Sequence, residues 1–184
     1  MNTTRRPDAF GQLTAPDTVR IERLLPGPIE RVWAYLTDSD KRSQWLSAGD
    51  IDLQPGGRVD HLFHNNQLTP DDGGPPPEFA HHGGPQRMTG SVTVCEPPHR
   101  LSYLWNAASP DPSEVSFELT PQGQQVLLVV THARLPDRQN LLKVSAGWHA
   151  HLDLLRARLE GTPPAGFWPN IRRLSAEYDR RLPA

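Results

Sequence analysis

The sequence predicts an α+β domain in which helices gather on one face of a curved antiparallel sheet. Three observations predict it. Residues 29–36 carry a helical stripe directly after an alternating segment, the chain from about residue 50 to 135 reads as strand after strand with short joins, and residues 141–160 return to the helical period. Strands gathered in one run, rather than alternating singly with helices, belong to an antiparallel sheet with its helices segregated.

Residues 1–17 show no periodicity and read as an N-terminal arm able to order against a neighbour. In "TVRIERLLP" (18–26), Val19, Ile21 and Arg23 lie opposite Arg20 and Glu22, the alternation of a first strand. In "GPIERVWAYLTD" the period changes: Ile29, Val32, Trp33 and Leu36 fall at i, i+3, i+4 and i+7, behind a proline tolerated in a first turn. A second, short helix follows at "DKRSQWL", where Asp38, Ser39 and Asp40 offer capping oxygens.

Pro55-Gly56-Gly57 then breaks the chain. Beyond it Val59, His61 and Phe63 share one strand face, with Asp60, Leu62 and His64 on the other. "MTGSVTVCEPP", "HRLSYLWN", "SEVSFELTP" and "QQVLLVVTHARL" supply four more strands, for a sheet of about six or seven joined as a meander. Residues 65–86, "NNQLTPDDGGPPPEFAHHGGPQ", are too rich in Gly and Pro for either regular structure and form a long loop. Leu141, Trp148, Leu152, Leu155 and Leu159 make the stripe of the long helix, which Gly161 and Pro163-Pro164 end. "PNIRRLSAEYDRRL" adds a last helix, so residues 162–184 extend the same domain.

Composition narrows the function. A formal charge of −2, from 19 Lys+Arg against 21 Asp+Glu, provides no field for nucleic acid. The Arg pair near the N-terminus has no apolar run behind it, and no stretch approaches the ~20 apolar residues of a membrane span, so a soluble, cytoplasmic protein is expected. Cys95 stands alone, which excludes an intrachain disulfide or a thiolate zinc cluster and suits a reducing compartment.

Taken in order, "VRIERLLPGPIERVWAYLTD", Trp45, "PGGR" (55–58), "EPPHRLSYLW" (96–105), "THARL" (131–135) and "GWHAHLDLLRARLEG" (147–161) resemble the heat-shock-protein-90 ATPase activator homologue family. That family belongs to the START-like, helix-grip superfamily labelled SRPBCC, and the resemblance spans residues 18–161. It implies a curved sheet wrapped around the long helix, with a cavity that the superfamily reuses for lipids, hormones, polyketides or chaperone contacts. Two departures stand out. The eukaryotic cochaperone that names the family carries a further N-terminal domain, where only about seventeen residues precede the fold here, so chaperone activation does not carry over. The 65–86 loop is also longer than the tight turn expected at that position.

The histidines are candidates for chemistry. At about 100° per residue, His149 and His151 point roughly 200° apart and cannot share a metal. His149 and Asp153, at i and i+4, read as a surface hydrogen-bonding pair facing water, and His81-His82 as solvated loop residues. With no H-E-x-x-H helix or cysteine pair, no metal and no cofactor are expected. His61 and His132 alternate with apolar strand residues and so face the concave side, as do Tyr103, Trp105 and Phe117.

These observations lead to a ligand site between sheet and helix for a small apolar or aromatic molecule. Its expected lining is His61, Phe63, Tyr103, Trp105, Phe117 and His132 from the sheet, closed by Trp148, His151 and Leu152 from the helix. The same side chains could instead fill the core and leave no space. Two further readings stay open: a chaperone-cofactor-like or stress-response module acting through its surface, and a cyclase- or hydrolase-like enzyme with a cavity histidine as acid or base. No nucleophile elbow, phosphate-binding glycine loop or carboxylate pair points to catalysis, and no catalytic residue is assigned. Exposed edge strands leave homodimerisation open.

Overall fold

A computed structural model describes residues 9–70 and 72–184. Seven antiparallel strands form one sheet in the order β1-β2-β7-β6-β5-β4-β3. The strands are β1 (Gln12–Ala15), β2 (Thr18–Pro26), β3 (Arg58–Phe63), β4 (Gln86–Glu96), β5 (Arg100–Trp105), β6 (Ser113–Gln122) and β7 (Gln125–Ala133). Helices α1 (Ile29–Thr37) and α2 (Ser39–Ser43) leave the sheet after β2, and α3 (Arg138–Glu160) and α4 (Phe167–Arg181) close the chain. This is the helix-grip arrangement the sequence implies.

The strand expected at residues 18–26 is the second of the sheet, β2. Within the expected N-terminal arm, residues 1–8 lie outside the described residues, but Gln12–Ala15 pair with β2 as an edge strand. The cause is not periodicity. Phe10 packs on His149 and Tyr178, and the Gly11 amide donates to the Tyr178 hydroxyl at 2.8 Å, so a residue far along the chain docks this segment.

Cross-strand register aligns the inner face. Val115 stands between Tyr103 and His132, and Phe117 between Leu101 and Val130, so each buried row runs across the sheet. A shift of register between Val92 and Val94 marks a bulge, which adds local twist and bends the sheet around α3. Asp137 caps α3 by accepting from the Asn140 amide, and Gly161 ends it at φ 68°, a left-handed conformation that suits glycine.

Arg23 projects into the interior with Val19, Ile21 and Leu25 and is 1% exposed. Its guanidinium donates to the Ala9 carbonyl and lies 3.7 Å from the Asp153 carboxylate, whose other oxygen accepts from Asn170. Asp153 therefore faces a buried cation. His149 is also buried, with Nδ1 3.0 Å from the Tyr178 hydroxyl. The sequence predicts that both face water; instead α4 and the N-terminal segment cover that side of α3, which the period of α3 alone does not reveal.

The 65–86 loop contains two 3-10 turns, Asn65–Gln67 and Pro77–His82. It is fastened to the start of α4: Asn66 accepts from the Trp168 indole at 2.9 Å, Thr69 Oγ1 from the Phe167 amide at 2.8 Å, and Phe79 packs on Trp168. Among the described residues, no helix is long and apolar enough to cross a membrane, and no group of three or more His, Cys, Asp or Glu could hold a metal ion.

Candidate functional site

Where the sheet bends away from α3, a cavity of about 520 Å3 remains. The sheet contributes Phe63, Trp105 and His132, with Gln86, Arg87 and Met88 from the start of β4. The helix contributes Asn140, Lys143, Val144, Gly147, Trp148 and His151, spaced so that they share one face of α3. Asn65, Phe79 and His82 from the loop, Leu46, and Phe167, Trp168 and Ile171 from α4 complete the wall.

Of the residues assigned to a chamber from sequence, Phe63, Trp105, His132, Trp148 and His151 thus meet around one space. His61, Tyr103, Phe117 and Leu152 sit one layer behind it, buried in the core. Alternation predicts which face of a strand a residue takes, but not how far along the strand the cavity ends. Tyr103 and Phe117 lie toward the filled part of the groove, where their rings pack 6.0 Å apart.

Trp105 is the hub of the wall. Its ring packs against His61 at 5.1 Å, Trp148 at 5.5 Å, His132 at 5.6 Å and Phe63 at 5.9 Å. Edge-on and tilted contacts of this kind add modestly to the area each ring buries. Gly90 makes room for the layer behind it, since a Cβ there would come within 3.2 Å of both the Tyr103 ring and Val59.

Three of the buried histidines, His61, His132 and His151, are those the sequence predicts at this site, and they differ in what they leave free. The Trp148 indole donates to His132 Nδ1 at 3.0 Å, and His132 Nε2 lies 2.8 Å from Ser113 Oγ, so both ring nitrogens are engaged by the protein. His61 Nδ1 pairs with Ser47 Oγ at 2.6 Å, and its buried Nε2 makes no hydrogen bond among the described residues. His151 Nδ1 donates to the Trp45 carbonyl at 2.7 Å, which assigns the acceptor lone pair of the neutral ring to Nε2.

All three rings are neutral at ordinary pH. Burial pushes His132 down to about 3. Burial, helped by the Arg42 charge, does the same to His61, also to about 3. Burial takes His151 to about 4 against the pull of its bond to Trp45. Burial likewise raises the Tyr103 hydroxyl well above its usual range. The two histidines that line the cavity, His132 and His151, are therefore neutral polar groups in a largely aromatic wall.

Several lining residues escaped the sequence reading. Phe79 is the lone aromatic of a Gly- and Pro-rich loop, and Phe167-Trp168 an aromatic pair that opens α4. Gly147 is the clearest missed signal. Glycine in a helix interior costs about 1 kcal/mol against alanine, and a Cβ built at Gly147 meets nothing within 4 Å. Its neighbours on the lining face are Val144 and His151, so the space its missing side chain leaves is the cavity.

Residues 26–160 match the family model described as activator of Hsp90 ATPase homolog 1-like protein. The protein encoded by gene BPP1335 of Bordetella parapertussis has a similar solution structure, with 42% identity over 97% of this chain and 93% of that one and a TM-score of 0.80. CalU16 of Micromonospora echinospora is 25% identical over 89% of this chain and 84% of its own, with a TM-score of 0.62. EF2215 of Enterococcus faecalis, a conserved protein of unknown function, shares the fold at 22% identity over 95% of this chain and 91% of its own, with a TM-score of 0.65. No curated protein matches the chain.

Proposed function

The chain belongs to the activator of Hsp90 ATPase homolog 1-like family, and from that premise we propose that it binds a small apolar or aromatic molecule between its sheet and α3. The observation that carries the reading is the cavity itself: about 520 Å3, walled by Phe63, Phe79, Trp105, Trp148, Phe167 and Trp168. That volume lies in the range of sites for drug-sized molecules, and apolar walls with few polar edges are their usual make-up.

Recognition follows from the neutral rings. Apolar contact supplies affinity, while His151 Nε2 offers an acceptor that orients a hydroxyl or N–H of the ligand. His132 acts differently from an anchor: with both nitrogens engaged, it holds Trp148 and Ser113 in place and presents its ring. A binding role of this kind requires no reacting group.

The test uses the glycine of α3. Titration with the neutral dye N-phenyl-1-naphthylamine is expected to raise its fluorescence, and Gly147→Met, which puts a flexible apolar chain into the cavity, is expected to abolish that rise without loss of thermal stability. A Gly147→Met protein that binds the dye as the parent does would place binding elsewhere. Native mass spectrometry of protein from its own cell then identifies the retained molecule.

A further inference from the structure

The long loop between β3 and β4 has two halves that are held differently. Its first half is pinned to α4. Gly166 gives that helix no side-chain cap, and the loop supplies one: Thr69 Oγ1 accepts from the Phe167 amide at 2.8 Å and Asp72 Oδ2 from the Trp168 amide at 3.2 Å. The second half begins at Gly73-Gly74, both at positive φ (79° and 72°) and both with open space where a Cβ would stand. Past them, among the described residues, no backbone–backbone hydrogen bond ties residues 75–82 to another element. The segment instead closes on itself at a neck, where a Cβ on Gly83 would lie 3.0 Å from Pro75 Cγ. Close ends around a compact turn are the build of an Ω-loop.

We propose that residues 75–83 are a lid that swings about this neck to admit the ligand and then closes over it. The proposal rests on the ligand-binding reading above and adds how that site is entered. Phe79 and His82 of the lid line the cavity, and His82 lies near enough to Lys143 on α3 to feel its charge, so the lid reaches from the β4 side toward the helix. Phe79 is its latch. That ring is 7% exposed and packs on Trp168 at 6.3 Å, while Pro77, Glu78, Ala80, His81 and His82 around it are exposed. Burial of one aromatic ring is enough to keep the lid shut most of the time and little enough to let it open unaided. The polar contacts at its edge, Arg172 to the Gly74 carbonyl and His82 Nδ1 to Gln86 Oε1 at 3.2 Å, are exposed and exchange readily with water. Pro75, Pro76 and Pro77 stiffen the arm, so that opening carries Phe79 out as one piece.

The experiment times entry and release of N-phenyl-1-naphthylamine by stopped-flow fluorescence. It compares the parent, a variant with residues 76–82 excised so that Pro75 joins Gly83 across the neck, and Phe79→Ala, which keeps the turn and frees its tip. A wall that only touches the ligand acts on release, because losing a contact shortens residence and leaves association nearly unchanged. A lid acts on both. Excision is expected to raise the association rate about ten-fold, Phe79→Ala to raise it by less, and release to quicken in each. An association rate equal to the parent's in these variants overturns the lid and leaves the cavity reading standing; should the excised chain not fold, Phe79→Ala alone decides. No fluorescence rise with the parent, or undiminished binding by Gly147→Met, overturns the cavity reading itself.

Discussion

The indole nitrogen of Trp148 lies 3.0 Å from Nδ1 of His132, and this contact fixes the protonation of the wall of the cavity. An indole can only donate, so His132 Nδ1 must accept, and the ring carries its hydrogen on Nε2, directed at Ser113 Oγ. A strand residue and a helix residue are thereby tied through one neutral ring, across the gap in which the cavity opens.

Removing that ring should loosen both sides. His132→Leu leaves the Trp148 N–H buried without an acceptor, a loss of about 2 kcal/mol, read as a lower urea midpoint. His132→Gln, whose amide oxygen can accept, should recover part of it. If the Leu variant were as stable as the parent, the bond would contribute nothing to holding the wall.

Acid should unfold the protein in a defined window. His61, His132 and His151 are held near 3, 3 and 4 by burial, while in the unfolded chain they titrate near 6.5. The folded values are depressed, so the stability linked to neutral rings is fully present above pH 6.5 and is lost as pH falls toward 4. Each ring contributes about 1.4 kcal/mol per pH unit across that interval. Urea midpoints at pH 7.5, 6.5, 5.5 and 5.0 should hold steady and then drop. Asp38, Asp137 and Glu177, also depressed, add their loss only at the acid end, below the measured series, because unfolded carboxylates titrate at about 4. A midpoint unchanged from pH 7.5 to 5.0 would mean that the rings are not buried neutral.

Much of the architecture was legible because it is periodic. The alternation of Val19, Ile21 and Arg23 placed even a buried arginine on the inner face, and the stripe from Leu141 to Leu159 located α3. The candidate site was legible only in part, for two physical reasons. Face assignment cannot say where packing stops and space begins, so Tyr103 and Phe117 were placed in the lining when they sit behind it. Cover by distant segments is also invisible to local pattern. His149 and Asp153 read as surface residues until α4 and the segment around Phe10 are laid over them, and Phe79, Phe167 and Trp168 reach the cavity through loop docking that no spacing encodes.

Tyr178 is the test of that distant cover. Its hydroxyl accepts from Gly11, 2.8 Å away, and has its hydrogen left for His149 Nδ1 at 3.0 Å. Tyr178→Phe leaves the ring and removes both bonds, at a cost of about 2 kcal/mol. Hydrogen exchange should quicken at the Gly11 amide and along β1, while β4 and β5 keep their protection relative to the global stability. Uniform acceleration through the sheet would show that β1 is not held locally by Tyr178.

Arg42 poses the same question at the opposite edge of the sheet. It is 1% exposed, and its guanidinium donates to the carbonyls of Ser47 at 3.1 Å, Gly49 at 2.5 Å, Asp60 at 3.0 Å and Ala48 at 3.4 Å. One side chain thus gathers the backbone between α2 and β3, including the bridges by which Ala48 and Ile51 cover the β3 edge. Burial lowers its affinity for a proton, yet an arginine starts high enough to stay charged. Arg42→Met keeps much of the apolar stem but abandons the carbonyls, and each buried acceptor left unpaired costs about 1–3 kcal/mol. The expected loss is about 4 kcal/mol, twice that of Tyr178→Phe. Arg42→Lys should rescue little, because a single ammonium cannot span acceptors that a planar fork reaches together. A lysine variant as stable as the parent would show that charge alone, not the fork, organises the edge; a methionine variant as stable would show that the carbonyls find water instead.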